Sequence, residues 1–201
     1  NLEILKFLLN TIIDKNNTIV DFIKHEDNIK TRSIFNTVNK YAKPTSAGDN
    51  IITSEDDGYA ILTRRLIEVE DGVMQESVVN WRSNTLTDRS DKFTTIKILY
   101  ETVKLMLKGS KEEDFDFDPT IRPSNDILDN AYEYVSSMWK LILDEVSAYK
   151  FVRENRSDFS NKVREARKAE SPNSLLFKPA AQEAFVKGIL AACEPQTEEE
   201  N

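Results

Sequence analysis

The feature that most constrains the fold is a long helical pattern that begins at Ser124 and ends near Lys150. Residues of a type that packs in cores recur along it at intervals of three and four: Ile127, Leu128, Ala131, Val135, Met138, Ile142, Val146 and Tyr149. Such residues share one face of an α-helix, and serine is a common N-terminal cap. The sequence therefore predicts a long helix whose apolar face other helices must cover, and hence a mainly α core.

Shorter patterns predict the neighbours of this helix. Helical spacing occurs at 28–43, 56–68, 93–108 and 179–190 and more weakly at 153–168, with Gly109 as a helix C-cap and a polar loop at 45–50. Thr18–Ile23 reads as a short strand, and Glu76–Arg82 as a strand or an extended crossing. Leu175, Leu176 and Phe177 suggest an extended apolar plug. We expect a mainly α, helical chain with one or two short strands.

The domain organisation follows from length and from two acidic stretches. With 201 residues the chain is long enough for one core. We expect a single helical domain over 1–193, in which the acidic segment 110–123 is a possible exposed linker between two lobes. The residues 194–201 are expected to form a disordered acidic tail.

Several classes of function lack the residues that they need. The five glycines include no phosphate-binding loop of the G-x-x-x-x-G-K or G-x-G-x-x-G type. One histidine (His25) and one cysteine (Cys193) leave triads and thiol chemistry without partners. We therefore predict no catalytic residues, no cofactor and no metal in this chain. The single cysteine fits a reducing cytoplasm, and no apolar run reaches the roughly 18 residues of a membrane span.

The charge distribution decides where a DNA surface is expected. A net charge of -8 means that such a surface must be local, because Lys and Arg side chains that neutralise phosphates supply most of the affinity for DNA. The segment 150–168 holds seven basic and three acidic residues. If it is helical, its arginines lie along an accessible face, which is either an ordinary solvated face or the first candidate for DNA contact: Arg153, Arg156, Arg164 and Arg167.

Two smaller groups have the same two interpretations. The run Asp88-Arg89-Ser90-Asp91-Lys92 suggests a helix N-terminus capped by Ser90 or Asp91, or a site where Arg89 and Lys92 meet a phosphate beside free helix N–H groups. Lys40 and Lys43, three residues apart, are surface lysines or a pair that holds one phosphate.

Three stretches carry a resemblance to a known family. They are FNTVNKYAKPTSAGDNIITSEDD from Phe35, NTLTDRSDKFTTIKIL from Asn84 and LLFKPAAQEAF from Leu175. In their order and spacing, from about Ile19 to Ala192, they resemble the DGQHR-domain proteins, and above all the DndB family of bacterial DNA phosphorothioation clusters. The DGQHR pentapeptide itself is absent, so the resemblance implies a fragment that lacks the N-terminal part of the family. It would be the helical, C-terminal part of a larger α/β protein.

The resemblance implies a function that the residues alone do not give. It implies DNA binding and transcriptional regulation of the DNA sulfur modification genes. Two alternatives remain open: a helical protein-interaction module that binds other DNA modification or phage-defence proteins, and a DNA-nicking enzyme whose site lies upstream.

Overall fold

The computed structural model describes residues 47–68, 74, 78–154 and 158–193. The chain divides into two compact units, Asn1–Thr31 and Arg32–Asn201, and the described residues belong to the second. The predicted helix at 28–43, the predicted strand Thr18–Ile23 and the predicted tail 194–201 lie outside them.

The described part of the chain is mainly α with two short strands, which confirms the predicted fold class. The helices are α1 (Ala47–Thr53), α2 (Gly58–Glu68), α3 (Ile96–Ser110), α4 (Asn125–Glu145), α5 (Phe151–Glu154), α6 (Phe159–Ala166) and α7 (Pro179–Cys193). Single 3-10 turns occupy Glu113–Phe115 and Ser174–Phe177, and the strands β1 (Val79–Asn80) and β2 (Thr94–Thr95) pair in parallel.

Helix α4 is the long helix that the sequence predicts. The Ser124 hydroxyl accepts a hydrogen bond from the backbone N–H of Ile127 (3.4 Å) and so caps the first turn. The buried face holds Leu128, Ala131, Val135, Ser136, Trp139, Ile142 and Leu143. The helix ends at Glu145, so Tyr149 lies beyond it, although its side chain is buried as predicted.

Helix α3 begins and ends later than predicted. Thr95, not Ser90 or Asp91, is the N-cap, and its hydroxyl accepts from the N–H of Ile98 (3.2 Å). The residues before Ile96 belong to the small sheet instead: Thr94 and Thr95 form β2, and the Phe93 N–H donates to the Val78 carbonyl (2.8 Å). At the other end the left-handed residue is Lys111 (φ 61°). Gly109 therefore stays inside the helix, where a Cβ atom would lie 3.0 Å from the Leu190 side chain of α7.

Part of the predicted loop at 45–50 is helical, because α1 begins at Ala47. The Arg64 guanidinium of α2 donates to the carbonyls of Ile51 (2.7 Å) and Ser54 (2.6 Å). These carbonyls lie at the C-terminal end of α1, where a short helix leaves acceptors unpaired. A side chain ten or more residues away thus supports a helix that local sequence does not predict.

The acidic segment 110–123 is not simply an exposed linker. Its carboxylates are exposed, but Phe117 is buried in the same core as residues of α2, α3 and α4. The Phe117 N–H donates to the Tyr59 hydroxyl (3.0 Å), and the two rings lie 5.0 Å apart. Whether 1–193 forms a single domain stays a prediction.

The predicted apolar plug at 175–177 is a 3-10 turn in which only Phe177 is buried. Leu175 is 70% exposed. The Phe177 ring packs edge-on against Phe93 (5.9 Å) and Tyr149 (5.6 Å), and Phe93 and Tyr149 meet at 4.9 Å. This aromatic cluster joins the residue before β2 to the C-terminal helices. None of the helices that the structure describes has the length and apolar character needed to cross a membrane.

Candidate nucleic-acid interface

The segment 87–92 is a hydrogen-bonded turn that precedes β2. The Ser90 N–H donates to the Thr87 carbonyl (3.0 Å), and the Lys92 N–H donates to the Ser90 hydroxyl (3.2 Å). The prediction that this run is a helix N-terminus is wrong, because α3 begins at Ile96. The prediction of a phosphate held there by free helix N–H groups fails with it, since Thr95 and Ile96 are fully buried.

The turn nevertheless collects cationic side chains from distant parts of the sequence. Arg89 is exposed and Lys92 partly exposed. Arg164 of α6 lies 3.7 Å from the Asp91 carboxylate, and Lys178, just before α7, forms an ion pair with Asp88. We call Arg89, Lys92, Arg164 and Lys178, together with residues 87–92, the cationic turn.

The charge of the cationic turn differs in sign from that of the whole chain. It has four cationic side chains and the two carboxylates Asp88 and Asp91, a net charge of +2, against -8 overall. The hydrogen bond from Lys178 lowers the pKa of Asp88, so this carboxylate is ionised at neutral pH. Both ion pairs are solvent-exposed, and such pairs contribute little to stability. Separating either pair therefore costs little stability.

Arg167 is not on the accessible face where the sequence predicts it. Its side chain is 1% exposed, and its Nη2 atom donates to the carbonyls of Lys92 (2.6 Å) and Phe93 (3.0 Å). The residue follows the last turn of α6, so its side chain leaves the helix surface and enters the core beneath the cationic turn. A phosphate on the surface cannot reach this guanidinium, and Arg167 is therefore removed from the set of candidate DNA contacts.

The guanidinium of Arg167 is incompletely hydrogen-bonded. Its Nε and Nη1 atoms are buried without a partner, as are the Thr94 hydroxyl and the Gln182 side-chain oxygen. Burial lowers the pKa of Arg167 to about 10, opposed by the charge of Asp88, so the side chain is still protonated at neutral pH. A buried charge without full compensation is costly, and hydrogen bonds from a charged donor offset part of that cost.

The other predicted contacts have different outcomes. Arg164 is half-exposed and lies at the cationic turn, as a DNA contact would require. The backbone of Arg153 belongs to α5, but its side chain is not among those described. Arg156, Lys40 and Lys43 also lie outside the described residues. Their roles in binding DNA stay predictions.

Sequence reasoning missed Lys178 and Gln182. Lys178 approaches Asp88 across 90 residues of sequence. Gln182, 2% exposed, donates from Nε2 to the Phe93 carbonyl (3.1 Å). Both belong to the LLFKPAAQEAF stretch, and both contact the NTLTDRSDKFTTIKIL stretch. The sequence did contain a signal for this contact. Both stretches are identified as motifs of one family, which suggests that they meet in the fold.

A cleft of about 250 Å³ lies at the C-terminal end of α3, and none of the residues of the cationic turn lines it. Its lining is Leu107, Lys108, Lys111, Glu112, Glu113 and Asp116. Within the described ranges, no group of three or more His, Cys, Asp or Glu side chains is arranged to hold a metal ion.

Comparison with protein families gives a match over most of the chain. The DndB family, described as DNA-sulfur modification-associated, matches residues 3–168. No curated protein and no solved structure matches the chain. The matched region includes Arg89, Lys92 and Arg164, whereas Lys178 and Gln182 lie beyond it.

Proposed function

The chain belongs to the DndB family of DNA-sulfur modification-associated proteins, and we propose that it is a DNA-binding transcriptional regulator of the DNA sulfur modification genes. The proposed DNA contact is the cationic turn. Family membership supports a role in the DNA sulfur modification system, and binding and regulation are the proposal.

One observation carries the proposal: the fold brings Arg89, Lys92, Arg164 and Lys178 to a single turn in an otherwise acidic protein. These residues come from three separate segments, and local sequence does not require them to meet. Cations in such a group can neutralise successive phosphates of a DNA backbone, which fixes the position of the protein on the duplex without reading its sequence.

The chemistry of the cationic turn suits a phosphate ligand. Arg164 and Lys178 are already held near the turn by Asp91 and Asp88, so they need little reordering when DNA binds. Arg89 is exposed. A phosphate, like the carboxylate that it would replace, accepts a charge-assisted hydrogen bond from each cation. The expected affinity is strongly dependent on salt, because each neutralised phosphate releases counterions.

A gel-shift assay tests this proposal with the promoter fragment of the modification genes. Four phosphate contacts predict that log K falls against log salt concentration with a slope of about -3 to -4. The double variant Arg89→Glu/Arg164→Glu should bind weakly and give a slope smaller in magnitude by about 2.

The matched control is Lys140→Glu/Lys187→Glu. It changes the net charge by the same amount at two exposed positions, on α4 and α7, that are not part of the cationic turn. The control should retain the wild-type slope. Absence of a shift by the wild-type chain at low salt contradicts DNA binding, and equal losses in both double variants contradict the assignment to the cationic turn.

The alternative function, a protein-interaction module, predicts a different result in a pull-down experiment. It predicts that the chain recovers DNA modification proteins from host lysate even after nuclease treatment. If the wild-type chain binds no DNA but recovers these proteins, the result supports the protein-interaction module and contradicts transcriptional regulation.

A further inference from the structure

The buried side chain of Arg167 has no role as a surface cation, yet it contacts the backbone where the cationic turn ends. The backbone of the cationic turn comprises residues 87–92. Arg167 donates to the carbonyl of its last residue, Lys92 (2.6 Å), and to the carbonyl of the following residue, Phe93 (3.0 Å). These contacts span 75 and 74 residues of sequence. Arg167 therefore ties the end of α6 to the end of the turn.

A second buried side chain acts on the same carbonyl. Gln182 of α7 donates from Nε2 to the Phe93 oxygen (3.1 Å). The Phe93 N–H is bonded to Val78, next to β1 (2.8 Å). Residue 93 is thus held by three parts of the chain at once, and the turn that precedes it ends at a fixed point.

The outer side of the turn is held far less firmly. The contacts described there include the Asp88–Lys178 and Asp91–Arg164 pairs, in which all four side chains are between 39% and 77% exposed. Exposed pairs of this kind are screened by salt and supply little stability. These two ion pairs therefore contribute less to the position of the turn than the buried contacts beneath it.

We propose that Arg167, assisted by Gln182, is the positioning residue of the cationic turn, and sets the place at which Arg89 and Lys92 meet the DNA backbone. The effect on DNA contact rests on the proposed DNA binding, whereas the positioning of the turn by Arg167 does not. Arg167 touches no phosphate in this arrangement; it acts through the carbonyls of Lys92 and Phe93.

The test uses the full chain with Arg167→Met, which keeps an unbranched side chain and removes the donors. The control is Lys168→Met, which removes the same charge at the adjacent, exposed residue, whose ammonium contacts only Glu165 among the ion pairs described. Hydrogen exchange is measured on the amides of residues 88–93, and those of α4 report on the overall fold.

Arg167→Met should raise exchange in the turn by about tenfold or more, as expected for a lost charged hydrogen bond, with α4 unchanged. Lys168→Met should leave both as in the wild type. If the turn amides of Arg167→Met exchange at the wild-type rate, the positioning role is overturned.

Should Arg167→Met raise exchange throughout the chain, Gln182→Met decides. It removes one donor to Phe93 and no charge. A rise confined to the turn supports the proposal, and an unchanged turn overturns it.

DNA binding supplies the second readout. The slope of log K against log salt should decrease in magnitude by about 2 in Arg167→Met, because several phosphate contacts are lost together, but by at most about 0.9 in Lys168→Met. Equal slopes in these two variants overturn the positioning role. A wild-type chain that binds no DNA refutes the proposed function instead, and the exchange measurement then still decides whether Arg167 positions the turn.

Discussion

At the scale of single residues, two charged side chains are buried in the described part of the chain, Asp57 and Arg167. Both are bonded to backbone. The Asp57 carboxylate accepts from the N–H groups of Tyr59 (2.9 Å) and Ala60 (3.3 Å), and its other oxygen accepts from the Tyr100 hydroxyl (2.9 Å). It therefore caps α2 and joins it to α3.

The pKa of Tyr100 reflects this contact. Burial raises the pKa of its hydroxyl, and the neighbouring Asp57 charge raises it further. The hydroxyl is protonated at neutral pH and serves Asp57 as a donor. Asp57 is thus more completely bonded than Arg167, whose Nε and Nη1 atoms have no partner.

We predict that Asp57→Ala lowers the free energy of unfolding by about 2 to 4 kcal/mol, since it removes a helix cap and a charged hydrogen bond to Tyr100. Urea denaturation measures the change. Asp56→Ala, at a neighbouring and more exposed carboxylate, is the control and should change stability by about 0.5 kcal/mol or less. Equal effects of the two substitutions would show that the bonds to Asp57 do not stabilise the fold.

At the scale of elements, the start of α2 is fitted closely to the acidic segment. A Cβ atom on Gly58 would lie 2.5 Å from the Phe117 ring and 2.8 Å from Pro123. Glycine is therefore favoured here by close approach, and Phe117 is a buried residue that helps to hold the segment 110–123 on the core. Gly188, inside α7, has no atom within 4 Å of such a Cβ.

These two glycines should respond to alanine in opposite directions. Gly58→Ala should destabilise the protein by about 1 to 3 kcal/mol, because Phe117 must shift in a packed core. Gly188→Ala should stabilise it by about 0.5 to 1 kcal/mol, because alanine restricts the unfolded chain and favours a helix. Thermal or urea unfolding measures both, and a stabilising Gly58→Ala would contradict the packing described.

At the scale of the whole molecule, the aromatic cluster around Phe93 connects segments that are far apart in sequence. Phe93 is fully buried and meets Tyr149 and Phe177 edge-on, while Phe151 stacks on Phe177 at 5.8 Å. The cluster lies under the cationic turn, because Phe93 follows that turn directly. The stability of the core and the position of the candidate interface therefore depend on the same residue.

Phe93→Ala should lower the free energy of unfolding by about 3 to 5 kcal/mol, as the loss of a buried aromatic ring usually does. Leu175→Ala, in the same predicted plug as Phe177 but 70% exposed, should change it by about 0.5 kcal/mol or less. Denaturant unfolding of both variants distinguishes the anchoring residue from the exposed one. Comparable losses would contradict the placement of Leu175.

The sequence by itself determined the helix class, the cap and apolar face of α4, and the family. Helical periodicity is local, and the three motifs stand in order along the chain, so neither depends on tertiary contacts. The sequence also pointed to Arg89, Lys92 and Arg164 through their charge.

Only the tertiary structure decided which of these side chains meet. A basic residue is expected at the surface, and nothing local shows that Arg167 follows the end of α6 and enters the core to reach Lys92 and Phe93. Helix α3 starts only at Ile96, because Phe93 bonds to Val78 and Thr94–Thr95 pair with β1. Helix α1 is supported by Arg64 from the next helix. In each case the deciding hydrogen bond joins residues distant in sequence, and local periodicity does not contain that information.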